Sequence, residues 1–483
     1  MTSGDWLVAL AYLVLVIGLG LVLGGRQRDA QDYFLGRRDL PWWAILVSVV
    51  ATETSALTVI SIPGIGAHSD LTFLQLAFGY ILGRAVVAWL LLPGYFAGEI
   101  QTAYEVLGTR WGPLARRTAS AVFLVTRALA TSVRLFAGAI PLTVITGWSY
   151  PRAILAVGAA TFVYTFVGGL RAVVWVDVVQ WAVYIVAGIA ALGAALHLDP
   201  AALSAAHAAG QLRVIGEAFS WTAPYAFLTA VIGGAVLSMA SHGTDHLIVQ
   251  RLLATRALRP ARLALVGSGF VVALEFALFL LVGAAISQAA PETRAMQGDA
   301  IFPVFITTHL SGGLAGLALA GILAAAMGST ASALNSLASA TTHDYYAPLA
   351  GRTGDAAHLL RAGRAFTLLW ALLLIGGALL VRRREAPVVV VALSVASLTY
   401  GGLLGAFVLA RVRRVRERDV VAAIVAGTAL MAAVVFAAPL GHALGDPRVL
   451  TALAKLAWPW YVPLGTLLTV GIGLAGSAFR PRG

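Results

Sequence analysis

The chain has 483 residues, 60% of them hydrophobic and 11% charged, with no cysteine and a mean hydropathy of +0.88. Soluble domains carry roughly 25% charged residues, so this composition excludes a soluble enzyme and a disordered protein, and the missing cysteines exclude a disulfide scaffold, a thiol nucleophile and thiolate metal sites. The net charge of +12 would suggest nucleic acid in a soluble protein, but all but one of the 33 basic residues are arginines, mostly in short loops between apolar runs. That is the pattern of a polytopic membrane protein.

A spanning helix needs about 20 mostly apolar residues. Thirteen runs qualify: Asp5–Gly25, Pro41–Ile65, Thr72–Gly98, Thr118–Gly147, Arg152–Gly168, Val174–His197, Thr222–Ala240, Pro260–Ser287, Gly313–Thr342, Leu359–Val381, Ala386–Arg411, Val420–Leu440 and Leu453–Gly476. They are long and continuous, unlike the ten-residue alternation of a membrane β-barrel. The segment Met1–Trp6 lacks the basic start of a cleavable signal, so the first span is expected to stay. With the N-terminus outside, 22 basic residues fall in the cytoplasm (Arg251 among them), 8 outside and 3 inside the membrane, and an odd number of spans puts the C-terminus in the cytoplasm. The cluster Arg382–Arg384 is the awkward one on the outer side. The longest outside connections, Leu198–Trp221 and Gln288–Gly312, have room for short helices or a lid.

Ionisable residues at membrane depth are costly, and each is a functional suspect. They are Glu53, Arg84, Arg127, Arg134, Asp177, His242 and Glu275. The plain alternative is mutual pairing that fixes helix packing, above all for Arg84 and Glu275. The second span carries Thr52, Glu53, Thr54, Ser55 and Thr58 at mid-depth, which suits an unwound segment. The seventh runs into Ser238-Met-Ala-Ser241-His242-Gly243-Thr244-Asp245-His246, a second polar, glycine-containing interruption. Two interrupted spans, five apart in order, point to an inverted-repeat transporter with binding sites near the midplane. Arg127 and Arg134 are seven residues apart on one face of the fourth span. A guanidinium matches a carboxylate bidentately, so an anionic solute is one reading; an internal pair with Glu53 or Glu275, or Arg127 snorkelling towards the cytoplasm, is the other. In the ninth span Ser329, Ser332, Ser336 and Ser339 share a face. Close helix packing is one reading of these small residues. An all-oxygen cage is the other, because Ser329 and Thr330 follow Ala326 by three and four residues, and hard cations prefer oxygen ligands.

These residues resemble the solute:sodium symporter family. The likeness is carried by Asp32-Tyr-Phe-Leu-Gly-Arg37 leading into Pro41-Trp-Trp, by Tyr164-Thr-Phe-Val-Gly-Gly-Leu-Arg-Ala-Val-Val-Trp175-Val-Asp177-Val-Val-Gln180, by Gly243-Thr-Asp-His-Leu-Ile-Val-Gln250-Arg251, and by Ala326-Met-Gly-Ser329-Thr330 through His343-Asp344-Tyr345. The resemblance implies an all-α polytopic protein with a five-plus-five inverted repeat of the amino-acid-transporter (LeuT-like) type, whose first and sixth core helices are discontinuous. The implied divisions are an N-terminal helix and loop at 1–40, repeats at 41–197 and 222–411, a connection at 198–221 and two further helices at 412–483. It also implies sodium-driven uptake of a solute by alternating access across the cell (inner) membrane, with sodium, a small solute and the lipid bilayer as partners and no nucleic acid.

Motif by motif, the resemblance implies a sodium site at Ala51, Thr54, Ala326, Ser329 and Thr330. It implies a second site at Asp177, Ser329 and Ser332, where Ala333 departs from the pattern. Substrate positions fall on Ser55, Thr58, Gln75, Ser238, Ser241 and His242, with Arg134 the candidate partner of an anion. Glu53 and Arg127 are placed as coupling or gating groups. The large amide and aromatic residues of the family's sugar transporters are absent from these places, which disfavours a hexose, and small hydroxyls near arginine suit a carboxylate-bearing solute. Proton coupling on the same fold and a membrane-embedded sensor are the rival readings. A membrane enzyme has no nucleophile elbow, metal-binding His/Glu pair or phosphate loop to support it.

Overall fold

The structure is a computed structural model that describes residues 2–25, 27–310, 312–381, 388–445 and 447–478. Every regular element among these residues is helical. In chain order the principal helices are α1 (Ser3–Leu23), α2 (Trp42–Glu53), α3 (Ala56–His68), α4 (Gln75–Leu90), α5 (Pro113–Thr146), α6 (Tyr150–Leu198), α7 (Phe227–Gly243), α8 (His246–Leu253), α9 (Leu258–Ala289), α10 (Gly298–His309), α11 (Leu314–Ala340), α12 (Ala356–Leu380), α13 (Val388–Leu409), α14 (Glu417–Val435) and α15 (Tyr461–Ala478). Among the described residues, nine helices are long and apolar enough to cross a membrane, and the bent pairs α2/α3 and α7/α8 each make one more span. The 49-residue α6 is two spans joined at Gly169, and α13 supplies the last. The thirteen expected spans are therefore present. The two long connections contain the short helix Ala202–Ala208 and the helix α10. The cluster Arg382–Arg384 lies outside the described residues.

The two broken spans have local causes. Between α2 and α3, Thr54 and Ser55 are extended, and the chain bends by 64°. Ser55 N donates to Thr58 Oγ1 (3.3 Å) rather than to the Ala51 carbonyl four residues back, so a short polar side chain starts a new helix where the old one would have continued. Between α7 and α8 the bend is 60°. There Asp245 caps α8 by accepting from Leu247 N (2.9 Å), while the Thr244 hydroxyl donates back to Ala240 O (2.8 Å). This break sits at Thr244–Asp245, so Ser238, Ser241 and His242 belong to the last turns of an intact α7 rather than to an unwound stretch.

Two glycines show why the bundle closes. Gly169 turns α6 at φ +58°, and a Cβ there would lie 2.5 Å from Tyr33 O. Gly283 of α9 crosses α3 so closely that a Cβ would meet Pro63 O at 1.8 Å. Small residues at such crossings let apolar helices approach backbone to backbone, which drives packing where the hydrophobic effect is weak. α11 lies against α5 and α6 and touches α2 and α3, and almost its whole length is buried. The helix that carries the serine face is thus the central post of the bundle.

Candidate transport site

A cavity opens where the two broken spans meet. It is lined by Thr52, Glu53, Ser55 and Thr58 from α2 and α3, Ser241 and His242 from α7, and Leu247 and Ile248 from α8. Arg127 and Arg134 from α5, Tyr80 from α4, Phe276 from α9 and Tyr400 from α13 complete the polar and aromatic wall. Broken helices thus bring hydroxyls and freed backbone groups to the one place in the bundle where such groups are tolerated.

The charges in this wall pair in ways that the sequence left open. Glu53 pairs with Arg84, which also donates to Ser268 Oγ (2.6 Å), and His242 Nε2 lies 3.5 Å from Glu53 Oε2. The other His242 ring nitrogen meets Ser241 Oγ at 2.8 Å. Arg127 pairs with Asp245, neither with Glu53 nor with Glu275, and Tyr400 bridges the two: it accepts from Arg127 (2.8 Å) and donates to Asp245 (2.8 Å). This triad ties α5 and α13 to the break of the second broken span. Among the described residues Arg134 has no carboxylate partner. Its Nη1 reaches only the Thr52 carbonyl (3.4 Å), and its Nε is unpartnered. Two expected substrate residues fall elsewhere. The Gln75 amide donates to the carbonyls of Tyr225 (2.8 Å) and Thr72 (3.0 Å), and the Ser238 hydroxyl donates to Tyr80 O (3.3 Å); neither lines the cavity. Their positions hold connections and helix contacts together instead.

The five oxygens expected to hold sodium come from elements that do meet. Ser329 Oγ and Thr330 Oγ1 lie 3.2 Å and 2.8 Å from the Ala326 carbonyl, so three of the oxygens form one cluster on α11. Across from it, Ala326 and Ala56 both lie close to Gly138 of α5, and Thr52 Oγ1 is 3.1 Å from Ser332 Oγ. The break at Thr54–Ser55 therefore lies beside the Ala326–Thr330 turn, and Ser55 N, turned toward Thr58, does not donate to the Ala51 carbonyl. An all-neutral oxygen set of this kind suits a hard monovalent cation.

The second sodium position is different, because a guanidinium stands in it. Arg251, fully buried on α8, donates to Ser48 Oγ (3.0 Å) and Leu247 O (2.9 Å), donates to Ser332 Oγ, and lies 3.5 Å from Asp177 Oδ2. Asp177 also accepts from Ser48 Oγ at 2.6 Å. The sequence reading put Arg251 in a cytoplasmic loop; it is instead the internal counter-charge of Asp177. Two of the three groups expected around a second ion, Asp177 and Ser332, are thus held by a side-chain cation. Breaking a buried ion pair strands a charge at about 3–5 kcal/mol, whereas removing both partners together costs far less. Arg251→Gln is therefore expected to lower the thermal unfolding temperature of the detergent-solubilised protein sharply, and Arg251→Met with Asp177→Leu to lower it much less. Equal losses would show that the pair is not a unit.

Comparison with known proteins places this arrangement. The sequence profile of the sodium:solute symporter family matches residues 33–436. The chain belongs to that family. The symporter is 27% identical to the sodium/sialic acid symporter of Aliivibrio fischeri over 438 residues, which cover 88% of this chain and 86% of that one. It is 26% identical to human sodium-coupled monocarboxylate transporter 1, with 84% of this chain and 68% of that one covered. A solved structure, the substrate-bound outward-open state of a sodium-coupled sialic acid symporter, superimposes with a TM-score of 0.86 at 23% identity, covering 99% of this chain and 98% of the other. That likeness confirms the LeuT-like fold. The symporter is an integral membrane protein that couples solute movement to sodium, and it is not an enzyme.

Residues to which sequence reasoning gave no role in the site are Asp245, Tyr400, Arg251, Ser48 and Tyr80, although Asp245 and Arg251 lie in a segment that carries the resemblance. Only Asp245 carried a local signal, as a helix-capping aspartate ahead of an apolar run.

Proposed function

We propose that this symporter imports a small carboxylate-bearing solute and that Arg134 receives the carboxylate. The observation that carries the reading is the state of Arg134. It is a cavity-lining guanidinium with no acidic partner among the described residues, beside an Arg127 that is already neutralised by Asp245. A cation held unpaired at membrane depth is costly, and a solute anion removes that cost when it binds. Ser55, Thr58, Ser241 and His242 supply hydroxyl and imidazole partners for the rest of the solute, while Phe276 and Tyr80 give it apolar walls. The names of the relatives, for sialic acid and for monocarboxylates, agree with an acidic solute.

Sodium binds between the first broken span and α11, at the Ala51 and Thr54 carbonyls, the Ala326 carbonyl and the hydroxyls of Ser329 and Thr330. It does work only through unequal affinity for the two access states. An ion that bridges α2/α3 to α11 favours the arrangement in which those elements are together, and its release frees them to separate. Residues 41–197 and 222–411 form the two repeats that rock against each other. The N-terminus lies outside and the C-terminus in the cytoplasm of the cell membrane, by the distribution of basic residues.

Thermal stabilisation of the purified protein tests the solute class. Small monocarboxylates and acidic sugars are expected to raise the melting temperature in sodium and not in potassium, while the matching amides and esters leave it unchanged. Stabilisation by neutral amides equal to that by the acids would remove Arg134 from the account.

A further inference from the structure

We propose that Glu275 supplies the formal negative charge of the sodium site. The proposal rests on the sodium reading above and adds to it a group on a helix that contributes none of the five oxygens. Those five oxygens are all neutral, so an ion among them, in a low-dielectric interior, keeps its full charge uncompensated. A carboxylate within a side chain's length is the physical remedy, and three acids are near enough to be considered. Glu53, one residue before Thr54, is taken by Arg84. Asp177 is taken by Arg251. Glu275 remains.

Glu275 sits on α9 and is 2% exposed. One carboxylate oxygen accepts from the Thr54 hydroxyl, and the other accepts from Tyr184 OH of α6 at 3.4 Å. Among the described residues no arginine, lysine or histidine forms an ion pair with it. The titratable groups that bear on it from the neighbouring helices are Glu53 of α2, compensated by Arg84 of α4, and Tyr184 of α6. An isolated buried carboxylate is expensive unless a cation offsets it.

Thr54 makes the connection. It stands at the break, its carbonyl belongs to the sodium reading, and its hydroxyl is tied to Glu275. The carboxylate therefore holds Thr54 in position and places a negative charge one side chain from the ion. Of the membrane-depth charges named above, three pairs are internally neutral, which leaves one arginine and one glutamate. Arg134 faces the cavity, where the solute anion arrives. Glu275 faces the break, where the sodium arrives.

The test is Glu275→Gln, which keeps size and an oxygen for Thr54, measured in sodium-dependent uptake by proteoliposomes. The sodium concentration for half-maximal uptake is expected to rise roughly 10–100-fold, as for loss of a charge about 6–12 Å away in an effective dielectric near 20. The solute KM at saturating sodium and the sodium:solute flux ratio are expected to stay within about twofold of wild type, as a charge acting on the ion alone requires. Thr54→Val, which keeps the carbonyl and cuts the link, is expected to raise the sodium requirement by a smaller factor, and Glu275→Asp to restore part of it. A Glu275→Gln protein whose sodium requirement is unchanged overturns the proposal. So does a lowered flux ratio, which would make Glu275 the ligand of a second ion. Wild-type uptake indifferent to sodium is a separate result, and it defeats the sodium reading as a whole.

Discussion

Arg134→Gln is expected to reduce kcat/KM for a transported carboxylate by about 30-fold to several thousand-fold, corresponding to the roughly 2–5 kcal/mol lost when one partner of a buried, hydrogen-bonded charge pair is truncated. The effect is large because nothing else in the cavity replaces this residue. Arg127, seven positions earlier on the same face, already gives its charge to Asp245 and a hydrogen bond to Tyr400. Arg134→Lys keeps the charge but loses the planar fork, so an intermediate loss is expected. Initial rates of uptake into proteoliposomes decide the point, with sodium dependence as the control. The sodium requirement of whatever uptake remains should be unchanged, since Arg134 contributes no oxygen to the ion. An Arg134→Gln protein that transports the acid at the wild-type rate would mean that the carboxylate binds elsewhere.

The second large effect is expected from Ser329→Ala combined with Thr330→Ala. These substitutions remove two of five proposed ligands, and each lost partner of a buried polar or charged group costs about 1–3 kcal/mol. Together they are expected to raise the sodium requirement by roughly 30–25,000-fold, so that uptake at ordinary sodium concentrations is severely reduced or lost. Both hydroxyls now donate to carbonyls of their own helix at 2.8–3.2 Å, and an α-helix does not depend on such back-bonds. The protein should therefore fold and be found in the membrane in wild-type amounts. Solute binding at very high sodium separates a lost ion site from a lost fold. Undiminished sodium-dependent uptake by the double variant would show that the ion is held elsewhere.

Both predictions use residues that the sequence exposed, and the reason is instructive. The bilayer fixes the length of an apolar span, so all thirteen crossings were legible, and clusters of Ser and Thr with an acid (Glu53, Asp245) marked both broken spans. Local chemistry did the rest: the Ala326–Thr330 spacing makes its own oxygen cluster within one turn. Pairing across the bundle was not legible. Arg127 and Asp245 are 118 residues apart and Tyr400 and Asp245 are 155 apart, and no periodicity connects them. Arg251 read as a loop base because α8 has only eight residues after a break, too few to register as a span, although the structure buries it completely against Asp177. Gln75 and Ser238 were expected in the site from the family resemblance alone, and their side chains turn to backbone carbonyls instead. The unpaired state of Arg134 and Glu275 emerges only once every other charge has found its partner.

That pairing gives the transporter its logic. Among the described residues the charges at membrane depth named above cancel in pairs, and the two left over, Arg134 and Glu275, have opposite sign; in the proposed reading one faces the solute and the other the ion. Each sodium entering down a 100 mV potential releases roughly 2.3 kcal/mol before its concentration gradient is added, which is enough to accumulate a solute only if ion and solute favour the same state.

The most direct measurement is accumulation of a labelled monocarboxylate by proteoliposomes under an inward sodium gradient. The account predicts an internal concentration that rises above the external one, collapses when a sodium ionophore dissipates the gradient, and does not develop when potassium replaces sodium. Equal accumulation in potassium, or accumulation driven by a proton gradient alone, would contradict it.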